Sequence, residues 1–285
     1  MGDRSLPFDE QQLTAALVAL DDEPLGRAGD EVGDDRVHGD PPPRDRDPRL
    51  AGRDEPRLDA PRPRRPPADL NVPTGANLTI PAKIVLTVGS DCAIGKMTVS
   101  LELERAARAR GIEARFVPTG QTGIAIAGWG IAVDAVVSDF IAGAAERLVV
   151  EGHERGGELL LVEGQGAVTH PAYSGVTLGL IHGSAPHLFV LCHLAGETEV
   201  EGYPGHPLLS LPELVDLHER ISLPARKAKV AAVALNTRLL EEDDARAAIA
   251  AAEAETGLVA DDVVRFGPER VIDSLLAALY KQEQA

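Results

Sequence analysis

From Lys83 onward the chain alternates short apolar runs with longer stretches whose apolar positions recur at helical spacing. Lys83 to Val88 (KIVLTV) predicts a buried strand, and Thr98 to Arg110 predicts a helix, with Val99, Leu101, Leu103 and several alanines for packing and Gly111 as its stop. A second strand is predicted over Glu113 to Val117 and a second helix over Asp134 to Val150. Glu158 to Glu163 (ELLLVE) is a continuous apolar run ending in an acid, the pattern of a parallel strand covered on both faces. Strands follow at His187 to Cys192 and Val230 to Leu235, and helices at Pro212 to Ile221, Glu241 to Thr256 and Pro268 to Tyr280. Strands alternating with helices in this way predict an α/β domain with a mainly parallel sheet and flanking helices.

Ahead of Pro81 the pattern is lost. Asp30 to about Asp69 is crowded with Pro, Arg, Asp and Gly, a composition that cannot bury enough apolar surface to offset its ordering entropy. Asp9 to Leu20 places Leu13, Ala16, Leu17 and Leu20 at helical spacing, with no neighbour in its own segment to pack on. The expected division is a low-complexity region over residues 1–80 and a folded α/β domain over residues 81–285.

Composition narrows the function classes. The formal net charge of -17 over 285 residues repels a phosphate backbone, so a nucleic-acid partner is not expected and any phosphate must be captured locally. Only Cys92 and Cys192 occur, with no paired spacing, which fits a reducing, cytoplasmic setting and offers no zinc motif. The start MGDRSLPFDEQQL has no apolar core after a basic region, and no stretch approaches the roughly 20 apolar residues that span a bilayer, so no membrane partner is expected. The oligomeric state is open, a homo-oligomer included.

The chemistry concentrates at Gly89 to Thr98 (GSDCAIGKMT), between the first strand and the first helix of the domain. A phosphate loop of the form GxxxxGK[ST] wraps an anion in backbone N–H groups, with a lysine and the positive end of a helix adding charge. Here Gly89, Ser90, Asp91, Cys92, Ala93, Ile94, Gly95, Lys96, Met97 and Thr98 form such a loop, which makes the fold class P-loop NTPase-like. It is one residue longer than the usual pattern, and Met97 stands where Ser or Thr would hold magnesium, leaving that role to Thr98.

The longer spacing is similar to that of dethiobiotin synthetase. That resemblance implies a metal-holding role for Glu163 at a strand end, direct or through water, and a base-reading role for Asn236 with Thr237 after the strand VAAVALN. The segment after the second strand reads VPTGQTG and lacks the substrate lysine of that enzyme.

Two more glycine-rich segments, PTGQTGIAIAG (Pro118 to Gly128) and VEGQGAVTHPAYSGVTLGLIHGS (Val162 to Ser184), join the phosphate loop in a set that resembles one family. It is the family once described only as a domain of unknown function and named for the D-glutamate N-acetyltransferase DgcN. The resemblance, over about Arg65 to Leu279, implies a P-loop domain and acetyl transfer from acetyl-CoA to the amine of an amino acid such as D-glutamate. The loop would hold the phosphates of coenzyme A. On that reaction a base must take a proton from the ammonium and donors must steady an oxyanion. His170 is the first candidate for base, with Glu163 and Tyr173 as further catalytic candidates; Ser174 could donate a hydrogen bond, Gln165 could orient the substrate, and Gly164 and Gly166 could present N–H groups. Thr119, Gln121 and Thr122, at a strand's C-terminal end, suit a substrate carboxylate. His182, His193 and His206 show no metal-ligand spacing and are read as structural, and the acidic clusters at Glu197 to Glu201 and Glu241 to Asp244 as solvated surface.

The family resemblance also implies a further α/β domain before the loop. The Arg, Pro, Asp and Gly run in its place is what a GC-rich gene yields out of frame, so a remnant or mistranslated N-terminal domain is expected there. The competing function is an ATP-dependent ligase or kinase of the dethiobiotin-synthetase type, with ATP and magnesium held by Lys96, Thr98 and Glu163. A nucleotide-binding protein without turnover is the third.

Overall fold

A computed structural model describes residues 66–284; the helix expected over residues 9–20 and the Pro- and Arg-rich tract up to residue 65 lie outside the described residues. Among these described residues six strands, β1 (Lys83–Gly89), β2 (Ala114–Val117), β3 (Leu159–Val162), β4 (Leu188–Leu194), β5 (Lys229–Asn236) and β6 (Val259–Asp261), form one sheet in the order β2-β3-β1-β4-β5-β6. Every neighbouring pair is parallel. β1 is central, with Lys83 opposite Leu159 on one side and Val85 opposite Leu188 on the other.

Among the described residues seven helices cover the sheet: α1 (Lys96–Ala109), α2 (Gln121–Ala127), α3 (Ile141–Glu154), α4 (Ser174–Ser184), α5 (Leu211–Ile221), α6 (Glu242–Thr256) and α7 (Glu269–Glu283). The alternation of β1 assigns the faces. Ile84, Leu86 and Val88 belong to a core shared with α3, α4, α5 and α6, and Val85 to a second core shared with Val99 and Leu103 of α1 and Val271, Ile272 and Leu275 of α7. Each fully buried Leu, Ile or Val contributes about 2 kcal/mol, so these two cores rather than helix propensity decide where the elements stop. Among the described residues no helix is long and apolar enough to cross a membrane.

The structure departs from the sequence pattern in four places. The helix expected over Asp134 to Val150 begins later, at Ile141, because Val136 and Val137 are extended and the stretch before it is spent on short 3-10 turns at Val133–Ala135 and Ser138–Phe140. Residues 121–127, for which the sequence pattern predicts no element, form α2, ended by Gly128 at φ 74°. Residues 174–184 form α4, whose mixed Gly, Leu and Ile sequence carries no amphipathic stripe to announce a helix. β6 has only three residues, too few for a periodic signal.

Residues 69–80 run over α3 and α4 as a strap. Leu70 and Ile80 pack on the first core, and Asn77 donates to the carbonyl of Gly183 at 2.8 Å. Glu146 of α3 accepts from the Thr74 N–H (2.6 Å), the Thr74 hydroxyl (2.8 Å) and the Gly75 N–H (2.6 Å). The approach is close: a Cβ on Gly143 would lie 1.7 Å from the Asn71 carbonyl oxygen.

Burial alone would push the Glu146 carboxyl up, but the donors from Thr74 and Gly75 outweigh it and hold it below its ordinary value. Its contribution is therefore present above a pH of about 4.5 and is lost as pH falls through the lower folded value. Hydrogen exchange of residues 72–78 should accelerate in acid before the sheet opens. Glu146→Gln should give the faster exchange already at neutral pH; equal protection in variant and parent would remove this carboxylate as the fastening.

Candidate active site

The strand order brings the loops after β1, β3 and β4 side by side at the carboxyl edge of the sheet, where connections leave in opposite directions and open α/β sheets form their crevice. The loop after β1 folds tightly. Ala93 and Gly95 have φ of 49° and 103°, and a Cβ on Gly89 would lie 2.6 Å from Ile94 Cδ1. Such turns aim successive N–H groups into a concavity. The first turn of α1, whose N–H groups have no intrahelical acceptor, carries no side-chain cap and no acid. Lys96 opens that turn; it is 6% exposed, and its ammonium donates to the Asp91 carbonyl at 2.6 Å. Burial lowers its pKa, against the opposing pull of nearby thiols and carboxylates.

Glu163 follows β3 and is buried. Its carboxylate accepts from the N–H groups of Thr119 (2.8 Å) and Gly120 (3.0 Å), and its carbonyl accepts from the Thr119 hydroxyl (2.7 Å). Gln165 donates to that hydroxyl at 3.1 Å. Burial raises the Glu163 pKa, and the Thr119, Gly120 and Gln165 donors pull against it. Thr119 is thus consumed in joining the end of β2 to the end of β3, while Gln121 and Thr122 stand half-buried in the first turn of α2. The next residue packs as closely: a Cβ on Gly164 would lie 1.8 Å from the Thr87 carbonyl oxygen.

A second cluster gathers around Asp91, which is wholly buried. One carboxylate oxygen accepts from the Cys92 N–H at 2.7 Å and the other from the Glu201 N–H at 2.6 Å. His170 Nε2 lies 3.9 Å from Asp91 Oδ1, and His170 Nδ1 accepts from the Ala172 N–H at 3.1 Å. That bond assigns the proton of a neutral ring to Nε2, facing Asp91. Tyr173 and Tyr203 flank the imidazole, with ring centroids at 4.5 and 5.1 Å. Cys92 is half-buried; burial first, then the Asp91 and Glu201 carboxylates, push its thiol up to about 11. The acid cluster expected to be plain surface is thus tied to the loop: Glu201 binds Asp91 through its N–H, and one oxygen of Glu197 is buried without a hydrogen bond among the described residues.

His193, read from the sequence as structural, also meets the loop. At the end of β4 its Nδ1 lies 2.9 Å from the buried Ser90 hydroxyl, and burial lowers its pKa. Its place at a strand's C-terminal end was the available signal. His182 meets the Ile221 carbonyl at 2.9 Å, and His206 lies against Tyr203. Asn236, at the end of β5, donates to the Ile94 carbonyl at 3.3 Å and accepts from the Arg238 N–H at 3.1 Å, so its amide braces the loop. Thr237 is held by Asp262. Ser174 opens α4, its N–H bonded to the His170 carbonyl.

For magnesium, the Met97 side chain has no oxygen to offer, Thr98 is half-buried in the first turn of α1, and one Glu163 oxygen, Oε2, accepts from both the Thr119 and Gly120 N–H groups. Asp91, Cys92 and His170 put ligand-type atoms within 4.8 Å of one another, but the His170 nitrogen that faces Asp91 carries the ring proton and has no lone pair to give.

Residues 71–272 match the model of the domain of unknown function DUF1611, described as its C-terminal P-loop domain. A D-glutamate N-acetyltransferase from Tritonibacter scottomollicae is 40% identical over 196 residues, 68% of this chain and 58% of that protein. A D-glutamate N-acetyltransferase from a Pseudoalteromonas species is 35% identical over 203 residues, 71% of this chain and 60% of that protein. The crystal structure of a DUF1611 family protein from Anabaena variabilis superposes with a TM-score of 0.73 at 45% identity, covering 75% of this chain and 63% of that one. This chain therefore spans about three fifths of the length of the relatives it matches.

Replacing the Glu163 carboxylate by an amide would turn an oxygen that receives two buried N–H groups into a weaker acceptor or a clashing donor. Glu163→Gln should cost about 1–3 kcal/mol in urea unfolding. A variant as stable as the parent would mean that this carboxylate does not hold β2 to β3.

Proposed function

The chain belongs to the DUF1611 P-loop family, and from that premise we propose that it is an N-acetyltransferase moving acetyl from acetyl-CoA to the amine of an amino acid, D-glutamate being the first to test. The supporting observation is the anion-binding loop Gly89 to Thr98 at the carboxyl edge of the sheet, in a chain whose relatives carry that activity in their names. The overall charge is strongly negative, so an anionic cofactor and acceptor must be met by local donors. The loop N–H groups and Lys96 are such donors.

Two anions of this chemistry suit the loop. One is a phosphate of coenzyme A; the other is the oxyanion that forms on the thioester carbon as it is attacked. In either case Asp91, His170, Tyr173 and Tyr203 form the wall beside the loop, and Glu163 fixes the TGQTG segment. A magnesium-dependent ATP enzyme is the weaker reading, given Met97 where the loop would offer a hydroxyl.

Purified protein given acetyl-CoA and D-glutamate should release coenzyme A thiol and form N-acetyl-D-glutamate. Magnesium-dependent ATP binding without acetyl transfer would overturn the assignment. Lys96→Ala tells the two anions apart: a weaker affinity for coenzyme A in calorimetry, expressed in KM, marks a phosphate in the loop. Unchanged affinity with kcat lowered by about a hundredfold marks the oxyanion.

A further inference from the structure

Cys92 has a setting that neither the loop's general role nor a binding wall requires. It lies inside the anion-binding turn, directly before Ala93, which is held at φ 49° although it is not glycine. Backbone strain of this kind costs about 1–3 kcal/mol and persists where the surroundings over-determine the geometry. The thiol is half-buried while the two groups beside it, Asp91 and His170, are 0% and 4% exposed. The reactive atoms of all three lie within 4.8 Å of one another. Each partner is locked: Asp91 by the N–H groups of Cys92 and Glu201, His170 by the Ala172 N–H and the rings of Tyr173 and Tyr203. A thiol, an acceptor for its proton, a ring beside that acceptor and a concavity of N–H donors are parts of a covalent acyl-transfer site.

We propose that Cys92 is the acyl carrier of this enzyme, taking the acetyl group from the thioester as an acetyl-cysteine and passing it to the acceptor amine. The inference rests on the acyl-transfer reading and selects, of the two anions, the oxyanion as the one the loop serves. In the first step Cys92 Sγ bonds to the acetyl carbon and the bond from that carbon to the coenzyme A sulfur breaks. The thiol proton passes to the Asp91 carboxylate, beside His170 Nε2, and from there to the departing sulfur, giving free coenzyme A thiol. A resting thiol held up at about 11 is protonated, so such an acceptor is required. In the second step the acceptor, which has lost one proton from its ammonium to solvent, attacks the acetyl carbon; the bond to Cys92 Sγ breaks, and a proton from the nitrogen restores the thiol. The oxygen of both tetrahedral intermediates faces the N–H groups of the first turn of α1 and Lys96. Cys192 sits wholly in the core of β4 and serves as the internal comparison.

Incubation with acetyl-CoA alone, followed by intact-protein mass spectrometry and peptide mapping, should show one acetyl group, on Cys92 and not on Cys192. The label should be released by hydroxylamine and discharged by D-glutamate as N-acetyl-D-glutamate, with parallel lines in double-reciprocal plots. Cys92→Ser and Cys92→Ala, checked for fold by circular dichroism, should take no thioester label and lose about a thousandfold in kcat. Full turnover by both variants would overturn the carrier role and leave the acetyltransferase standing. Labelling of Cys92 without discharge by D-glutamate would support the carrier and overturn that acceptor. Neither label nor turnover in the parent would overturn both.

Discussion

The site is organised around one charge taken out of water. Asp91 is wholly buried, and an isolated carboxylate there would cost several kcal/mol. It is tolerated because each oxygen receives a short backbone N–H bond, one from its own loop and one from the hairpin after β4. Its carbonyl meanwhile receives the Lys96 ammonium, which is itself desolvated. One residue thus sets the loop's curvature, the lysine's direction and the seat of residues 197–207, where Glu199 and Pro207 form a short antiparallel bridge. The His170 ring, facing the same carboxylate, inherits its position from that arrangement.

The elements built from strong periodicity were legible in the sequence. β1, β3, β4 and β5 lie within a residue or two of the apolar runs that announced them, as do α1, α5 and α6, while α7 runs three residues past its expected end. The phosphate loop was legible too, since glycines and a lysine between a strand and a helix have few other uses. What could not be read was held by tertiary context. α4 has apolar residues on every side, and α2 is a single short helix packed beside the Glu163 carboxylate, where a Cβ on Gly123 would lie 2.4 Å from Glu163 Oε2. The neighbourhood of Cys92 was also hidden, since its partner His170 is 78 positions away and only the sheet order brings the two loops together.

Glu163 ties the ends of two neighbouring strands together beside the loop. Its place at the end of β3, next to the phosphate-loop strand, is where a nucleotide enzyme keeps a metal-binding acid. Here one oxygen of that carboxylate receives the Thr119 and Gly120 N–H groups, and burial raises its pKa although those donors pull against it.

The central place of β1 has a consequence for how the protein is made. Its two neighbours are β3 and β4, so the strand that carries the phosphate loop gains both hydrogen-bonded edges only after the chain has been synthesised through Leu194. With all six described strands parallel, no hairpin joins neighbouring strands of this sheet, and more than a hundred residues leave the ribosome while β1 still presents an unpaired edge. At roughly 5–20 residues per second that interval lasts many seconds, long enough for chaperone capture or for pairing with another unfinished copy.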